Sequence, residues 1–211
     1  LSTGGSITQS ATGAITAHSL LARADGDVLL AAAQNNVAAT TLAGNAGNDT
    51  LTGNAGNDRL DGGLGNDSLI GGSGNDTIFL GDGKDSKAFG DDGNDTITAS
   101  SNTDVTGVEI HGGAGNDILV AGPTAIKIWG DAGNDTITGS PEADELYGDD
   151  GTGTSSDGDD TIDAGDGNDL VRGGLGNDTI EGGPGNNWIR GDGGNDIVRG
   201  SRGDDFLEGG T

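Results

Sequence analysis

The feature that most constrains this chain is a nine-residue repeat, which fills residues 44–79 with four consecutive units: GNAGNDTLT, GNAGNDRLD, GGLGNDSLI and GGSGNDTIF. Each unit carries Gly at positions 1 and 4, Asn at position 5, Asp at position 6 and an aliphatic residue at position 8. A fixed short period determines the architecture before local propensities do, because each unit must stack on its neighbours to bury its apolar residue.

Each unit divides into a turn and a short strand. Glycines adopt positive φ at no steric cost, and we expect this at Gly44 and Gly47. Positions 7 to 9, such as Thr50-Leu51-Thr52, are β-formers in alternation that point one side chain inward. Two units close an 18-residue coil, and coils stacked about 4.8 Å apart bury columns of Leu, Ile and Val. The pattern predicts an all-β, parallel β-roll solenoid.

The aspartate at position 6 indicates the chemistry. Because the aspartates of one edge recur once per coil, Asp49 should lie over Asp67 and Asp58 over Asp76. Carboxylates about 5 Å apart repel each other and need a cation between them. An oxygen-only ligand set that includes the carbonyl groups of glycine turns favours Ca²⁺ over Zn²⁺. The sequence therefore predicts calcium ions between successive same-side turns.

The predicted calcium ligands are the position-6 aspartates of every unit that keeps one: Asp49, Asp58, Asp67, Asp76, Asp85, Asp95, Asp117, Asp135, Asp144, Asp160, Asp169, Asp178, Asp196 and Asp205. Sorted alternately, they form two edges. One edge runs without a gap from Asp58 to Asp196, whereas the other has nothing equivalent after Asp85 and then has Ile126 and Asn187 in place of aspartate.

The number of sites follows if each ion needs an aspartate from both of the turns that flank it. The first edge then holds up to about seven sites, and the second about three, at the pairs 49/67, 67/85 and 144/169. The expected total is about ten Ca²⁺ ions per chain.

Units such as GGSGNDTIF and GGLGNDTIE resemble the GGxGxDxUx repeat of the RTX (repeats-in-toxin) family. The resemblance covers residues 44–210, about four-fifths of the chain. It implies a parallel β-roll that binds Ca²⁺ between successive turns, with the position-6 aspartates and turn carbonyls as ligands. It also implies a secreted or cell-surface protein that leaves the cell by type I secretion.

Composition agrees with folding that depends on a metal. Hydrophobic residues make up 30% of the chain, and the formal net charge is −26. Self-repulsion would expand such a chain, so we expect a largely unfolded metal-free state and a compact calcium-bound state. The acidic charge argues against nucleic acid and anionic membranes as partners, and no apolar run of about 18 residues could span a bilayer. The absence of cysteine excludes disulfides.

Two regions are expected: residues 1–43 as an N-terminal cap or solenoid arm, and residues 44–211 as the β-roll, irregular at 80–111 and 148–158. The arm allows either an amphipathic helix over residues 17–24 or short solenoid strands, and the regular glycine spacing favours strands. Its sequence, GSITQSATGAITAHSLLARADGDVLLAAAQNNV, also resembles the β-helical repeats of filamentous-haemagglutinin-like adhesins. Since no initiator Met or signal peptide is present, we expect a segment of a larger protein.

No catalytic constellation is visible, because neither His18 nor His111 has a nucleophile at a meaningful spacing. We therefore expect a module that is not an enzyme. The first functional class is a structural calcium-dependent module. The alternatives are the non-catalytic module of a secreted enzyme, or an adhesive module that binds a glycan or protein through outward-facing aromatic residues, namely Trp129, Tyr147, Trp188 and Phe206.

Overall fold

The structure is a computed structural model that describes residues 2–3, 7–8, 16–17, 20–24, 28–29, 36–37, 40–83, 87–99, 107–150 and 158–210. Every helix or strand assigned within these residues is a β-strand, and all the strand pairs are parallel. The chain winds as the predicted solenoid of 18-residue turns. Among the described residues, no helix is long and apolar enough to cross a membrane.

One wall of the solenoid is an eleven-stranded parallel sheet. Its strands, in spatial order, are β1 (Ser2–Thr3), β4 (Leu20–Ala24), β7 (Thr40–Ala43), β9 (Arg59–Asp61), β11 (Thr77–Phe79), β13 (Thr96–Thr98), β15 (Ile118–Val120), β17 (Thr136–Thr138), β19 (Thr161–Asp163), β21 (Thr179–Glu181) and β23 (Ile197–Arg199).

The opposite wall is a nine-stranded parallel sheet. Its strands are β8 (Thr50–Ala55), β10 (Ser68–Ser73), β12 (Lys87–Asp92), β14 (Glu109–Ala114), β16 (Lys127–Ala132), β18 (Glu145–Tyr147), β20 (Leu170–Leu175), β22 (Trp188–Gly193) and β24 (Phe206–Glu208). Most of these strands have six residues, because they continue from positions 7 to 9 of one unit into the start of the next.

The N-terminal arm forms solenoid strands, as the glycine spacing favoured. Residues Leu20–Ala24 are a strand, so the alternative of a helix over 17–24 is wrong. In the arm, β2 (Ile7–Thr8) pairs with β5 (Val28–Leu29), and β3 (Thr16–Ala17) pairs with β6 (Asn36–Val37). Strand β4 pairs with β7, which pairs with β9, so the large sheet runs from the arm into the nonapeptide region without a break.

The core consists of position-8 side chains stacked between the two sheets. The eleven-stranded sheet contributes Leu42, Leu60, Ile78, Ile97, Leu119, Ile137, Ile162 and Ile180, all at most 1% exposed. The facing column of the nine-stranded sheet is Leu51, Leu69, Ala88, Ile110, Ile128, Leu146, Val171 and Ile189, all fully buried. In the irregular unit 80–88 a one-residue bulge could turn either Ala88 or Phe89 inward in place of Lys87, and the structure has Ala88 inward and Lys87 exposed.

The glycines at positions 1 and 4 serve different purposes. Gly47 has φ of 124°, as expected, but Gly44 is not among the residues with positive φ, so that part of the prediction is wrong. A Cβ on Gly44 would instead collide with Oδ2 of Asp49 and with the carbonyl oxygen of Gly62. Position 1 is therefore glycine because the aspartate of the same unit and the next same-side turn need its side-chain space.

Candidate metal centre: two edges of stacked aspartates

The first edge, which we call the continuous ladder, comprises Asp58, Asp76, Asp95, Asp117, Asp135, Asp160, Asp178 and Asp196. Each backbone N–H in this series donates a hydrogen bond to Oδ1 of the next aspartate, over N···O distances of 2.7 to 2.9 Å. The structure therefore brings together the predicted ligands of this edge in the predicted order. In each acceptor carboxylate, Oδ1 joins two successive same-side turns by this hydrogen bond, and Oδ2 takes no part in it.

That second oxygen is buried and lacks a partner. The residues from Asp58 to Asp178 in the ladder are at most 3% exposed. Oδ2 has no hydrogen-bond partner in Asp76, Asp95, Asp117, Asp135, Asp160, Asp178 and Asp196. A buried polar atom without a partner costs about 1–3 kcal/mol, and more for a charged group, so a row of them at one phase of a repeat requires a ligand.

Electrostatics leads to the same requirement. Burial raises the pKa of Asp76 and Asp117 to about 7, of Asp135 to about 8 and of Asp160 to about 9. The backbone N–H that each carboxylate accepts lowers the pKa, but the carboxylates of neighbouring turns raise it further. Without a cation these groups hold protons near neutral pH, and a divalent ion would take the place of the protons.

The space beside each second oxygen has the donors that a hard cation needs. A Cβ added to Gly71 would meet Oδ2 of Asp76 and the carbonyl oxygen of Gly90. At Gly112 and Gly130 an added Cβ would likewise meet the aspartate Oδ2 of the same unit and the carbonyl oxygen of the next same-side turn. Among the described residues no three side chains of His, Cys, Asp or Glu converge on one point. Backbone carbonyls must therefore complete the ligand set, which fits Ca²⁺, a cation that takes six to eight oxygens.

The second edge, which we call the interrupted ladder, keeps the same register with different residues. Its described members are Asp49, Asp67, Ile126, Asp144, Asp169, Asn187 and Asp205. Asp49 N–H donates to Asp67 Oδ1 over 2.8 Å, and the C-terminal series runs from Ile126 to Asp205 with N···Oδ1 distances of 2.9 Å. The predicted ligand Asp85 lies outside the described residues.

Sequence reasoning missed a third ladder, formed by the asparagines at position 5 on the edge of the continuous ladder. Oδ1 of Asn57 accepts the N–H of Asn75 over 3.0 Å, and Oδ1 of Asn75 accepts the N–H of Asn94 over 3.1 Å. The series continues through Asn116 and Asn134. Recurrence of Asn at the same phase as Asp was the signal that could have revealed it, because a side-chain carbonyl oxygen stacks in register as a carboxylate does.

The outward aromatic residues form two arrangements. Phe89, His111, Trp129 and Tyr147 stack face to face, with centroid separations of 5.1, 4.6 and 5.4 Å. Stacking covers most of their ring faces, so these rings stabilise the sheet surface. Trp188 and Phe206 meet edge to face at 6.1 Å and are 47% and 56% exposed.

Comparison with known proteins agrees with this geometry. The family model for the RTX calcium-binding nonapeptide repeat, which contains four copies, matches the chain at residues 36–69, 55–86, 87–105, 109–123, 127–155, 152–180 and 181–211. A comparison with curated proteins finds no match. The repeat matches cover most of the chain and coincide with the stacked turns and their aspartates. This chain belongs to the family of RTX calcium-binding nonapeptide-repeat proteins.

Proposed function

We propose that this chain is a calcium-dependent structural module of a larger secreted or cell-surface protein, which folds when it meets Ca²⁺ outside the cell. The observation that carries the proposal is the row of buried Oδ2 atoms without a hydrogen-bond partner on the continuous ladder. A repeated cost of this kind persists only where a bound ligand offsets it. A module of this kind performs no catalysis of its own.

Calcium would supply positive charge and an oxygen-coordination sphere along the ladder. The carboxylates of the position-6 aspartates and the carbonyl groups of the position-1 turns would hold it. Because these oxygens come from consecutive turns, ligands are assembled only when the turns stack, and the free energy of binding becomes free energy of folding. About ten ions would cancel about 20 of the 26 net negative charges.

The same coupling suits export. A chain with a net charge of −26 and few apolar residues stays expanded where Ca²⁺ is scarce, as in the cytosol. Outside the cell, the millimolar Ca²⁺ concentration reaches the dissociation constants of extracellular calcium modules, which are about 10⁻⁴ to 10⁻³ M. The chain would therefore pass through a secretion channel unfolded and fold afterwards, which agrees with the type I secretion implied by the repeats.

A calcium titration tests the proposal. Followed by circular dichroism and calorimetry, the metal-free chain should gain β-signal cooperatively and saturate near ten ions. Asp135→Asn, in the centre of the continuous ladder, should lower the number of bound ions, whereas Asp163→Asn, on the exposed face of β19, should leave it unchanged. A metal-free chain that already shows the full compact β-rich state at neutral pH would contradict the proposal.

A second candidate function is contact with a glycan or a protein through Trp188 and Phe206. The exposure of Trp188 favours it, because this residue lies in β22 between β20 and β24 and is nevertheless 47% exposed, and exposed aromatic residues are enriched in contact surfaces. Glycan-array and pull-down binding should be lost in Trp188→Ala and retained in Trp129→Ala, because Trp129 is held between His111 and Tyr147. Equal binding by the parent chain and the Trp188 variant would rule out this surface.

A further inference from the structure

The two edges of the solenoid satisfy their polar groups differently in the C-terminal half. On the continuous ladder, Asp178 Oδ1 accepts the N–H of Asp160 over 2.9 Å, and its Oδ2 has no hydrogen-bond partner. On the interrupted ladder, the residues at the same phase are Ile126, Asp144, Asp169 and Asn187. Three of these four have no polar side-chain atom that still requires a cation.

Asn187 replaces a cation with its own amide hydrogens. Its Oδ1 accepts the N–H of Asp169 over 2.9 Å, just as an aspartate would. Its Nδ2 donates to the carbonyl oxygens of Gly182 and Gly183 over 3.0 and 3.1 Å. The reverse amide orientation would place an oxygen against two carbonyls and an N–H against an N–H, so the network fixes the assignment. The carbonyl of Gly182, which stands at the position that offers a ligand oxygen elsewhere, is thus already occupied.

Asp144 is satisfied within its own turn. The N–H of Ser140 donates to Oδ2 over 2.6 Å, and the Ser140 hydroxyl donates to Oδ1 over 2.9 Å. Oδ1 also accepts the N–H of Ile126 over 2.9 Å. Ser140 does not adopt the positive φ that Asp131 (72°) has at the same position of the preceding unit, because Pro141 restricts the residue before it. The altered turn directs the serine donors at the carboxylate.

The remaining members cannot form a pair of ligands. Ile126 is 4% exposed and offers no side-chain oxygen. Asp169 keeps a buried Oδ2 without a hydrogen-bond partner, but its neighbours on either side are the satisfied Asp144 and the neutral Asn187. The carboxylate of Asp144 lies one turn from Asp169, but both of its oxygens accept hydrogen bonds from Ser140, and these donors offset the repulsion that calcium would otherwise screen.

We propose that the interrupted ladder from Ile126 to Asp205 is closed by its own hydrogen bonds instead of calcium, so that in this half of the solenoid calcium binds along the continuous ladder alone. The proposal rests on the proposed function, since it assumes calcium at the continuous ladder. It removes the site expected between Asp144 and Asp169. In this half of the solenoid, one side would then be calcium-dependent and the other independent of the metal.

Crystals grown in Ca²⁺ and measured for anomalous scattering test this directly. Calcium peaks are expected between Asp160 and Asp178 and none between Asp144 and Asp169 or between Asp169 and Asn187. Peaks on both ladders would overturn this inference and leave the proposed function intact. Peaks on neither ladder would overturn both.

Ion counting by native mass spectrometry in saturating Ca²⁺ provides a second measurement. Asn187→Asp restores the consensus residue and should raise the count by one ion. Asp178→Asn, the matched change on the continuous ladder, should lower the count. An unchanged count in Asn187→Asp would overturn the inference, because the amide would then not be what excludes the ion.

Discussion

The backbone N–H of Asp135 donates a 2.8 Å hydrogen bond to Oδ1 of Asp160, although 25 residues separate them. In regular turns the same bond spans 18 residues, as between Asp160 and Asp178. The aspartate ladder therefore stays in register when the connecting chain is seven residues longer. Stacking of the turn, and not the length of the connection, fixes the position of each coil.

Deletion of residues 151–157 should preserve the fold. The deletion would join Asp150 to Gly158 and create the unit GDDGDDTID, which matches the regular unit GDDGNDTIT at residues 90–98. Loop-closure entropy changes by only about 0.6 kcal/mol for each doubling of loop length, so we expect equal or slightly higher thermal stability in Ca²⁺. Calorimetry of the two chains measures this. A large loss of stability, or fewer bound ions, would show that the longer turn has a structural role.

Stability of the metal-free chain should fall as pH rises. Asp76, Asp135 and Asp160 have folded-state pKa values of about 7, 8 and 9, above the ordinary value of 3.8, so the folded state binds more protons than the unfolded state. Their contribution is complete below about pH 4 and is lost as pH rises through about 7 to 9. In metal-free buffer, the β-signal in circular dichroism should therefore be stronger at pH 4 than at pH 8.

Calcium should reverse that dependence, because its ligands must be ionised. The calcium concentration at half-saturation should be higher at pH 5 than at pH 7.5. A metal-free β-signal that strengthens with pH would contradict the assignment of these carboxylates as buried groups without a cation.

The position-1 glycines should be intolerant of a single added methyl group. Gly71→Ala would force a Cβ against Oδ2 of Asp76 and the carbonyl of Gly90, and we expect a loss of about 1–3 kcal/mol in the free energy of unfolding and a weakened calcium site. Denaturant unfolding in Ca²⁺ compares this variant with the parent chain, and equal stability of the two would show that the side-chain space at Gly71 is not needed by Asp76 and the next turn.

Two isoleucines in adjacent strands separate core from surface. Ile137 in β17 is 1% exposed, whereas Ile118 in β15 is 49% exposed. Ile137→Ala should lower the free energy of unfolding by about 2–5 kcal/mol, since it leaves a cavity between the sheets. Ile118→Ala should cost less than about 1 kcal/mol, a difference of strand propensity. Similar losses in both variants would mean that the inward column is not the core.

The nonapeptide period was sufficient to predict the fold and the order of both ladders. Period, phase and strand chemistry agree, so the inward positions of Leu51 and Ile78 were predictable, whereas the extra residue after Lys87 left Ala88 and Phe89 as alternatives. The arm was harder, because residues 17–24 have a helical pattern of apolar residues while the glycine spacing favours strands, and pairing of β4 with β1 and β7 decides for a strand. Local pattern cannot report a tertiary partner.

The departures from the consensus were less predictable. Asn187 could be read only as a weaker ligand, since its amide orientation depends on the carbonyls of Gly182 and Gly183. Ser140 gave no signal, because its effect on Asp144 follows from the backbone change imposed by Pro141. The φ of Gly44 was predicted wrongly because glycine can be required either for its backbone freedom or for its lack of a Cβ, and the sequence alone does not distinguish the two.

Because each coil is hydrogen-bonded almost entirely to the coil before it and the coil after it, we expect the molecule to unfold coil by coil under mechanical force. Tension applied to its two ends would peel coils from an end, one at a time, while the interior stayed wound. Each regular coil would release 18 residues, or about 60 Å of extended chain, and the coil from Asp135 to Asp160 would release 25. Single-molecule stretching should therefore give a series of force peaks whose spacings follow these coil lengths.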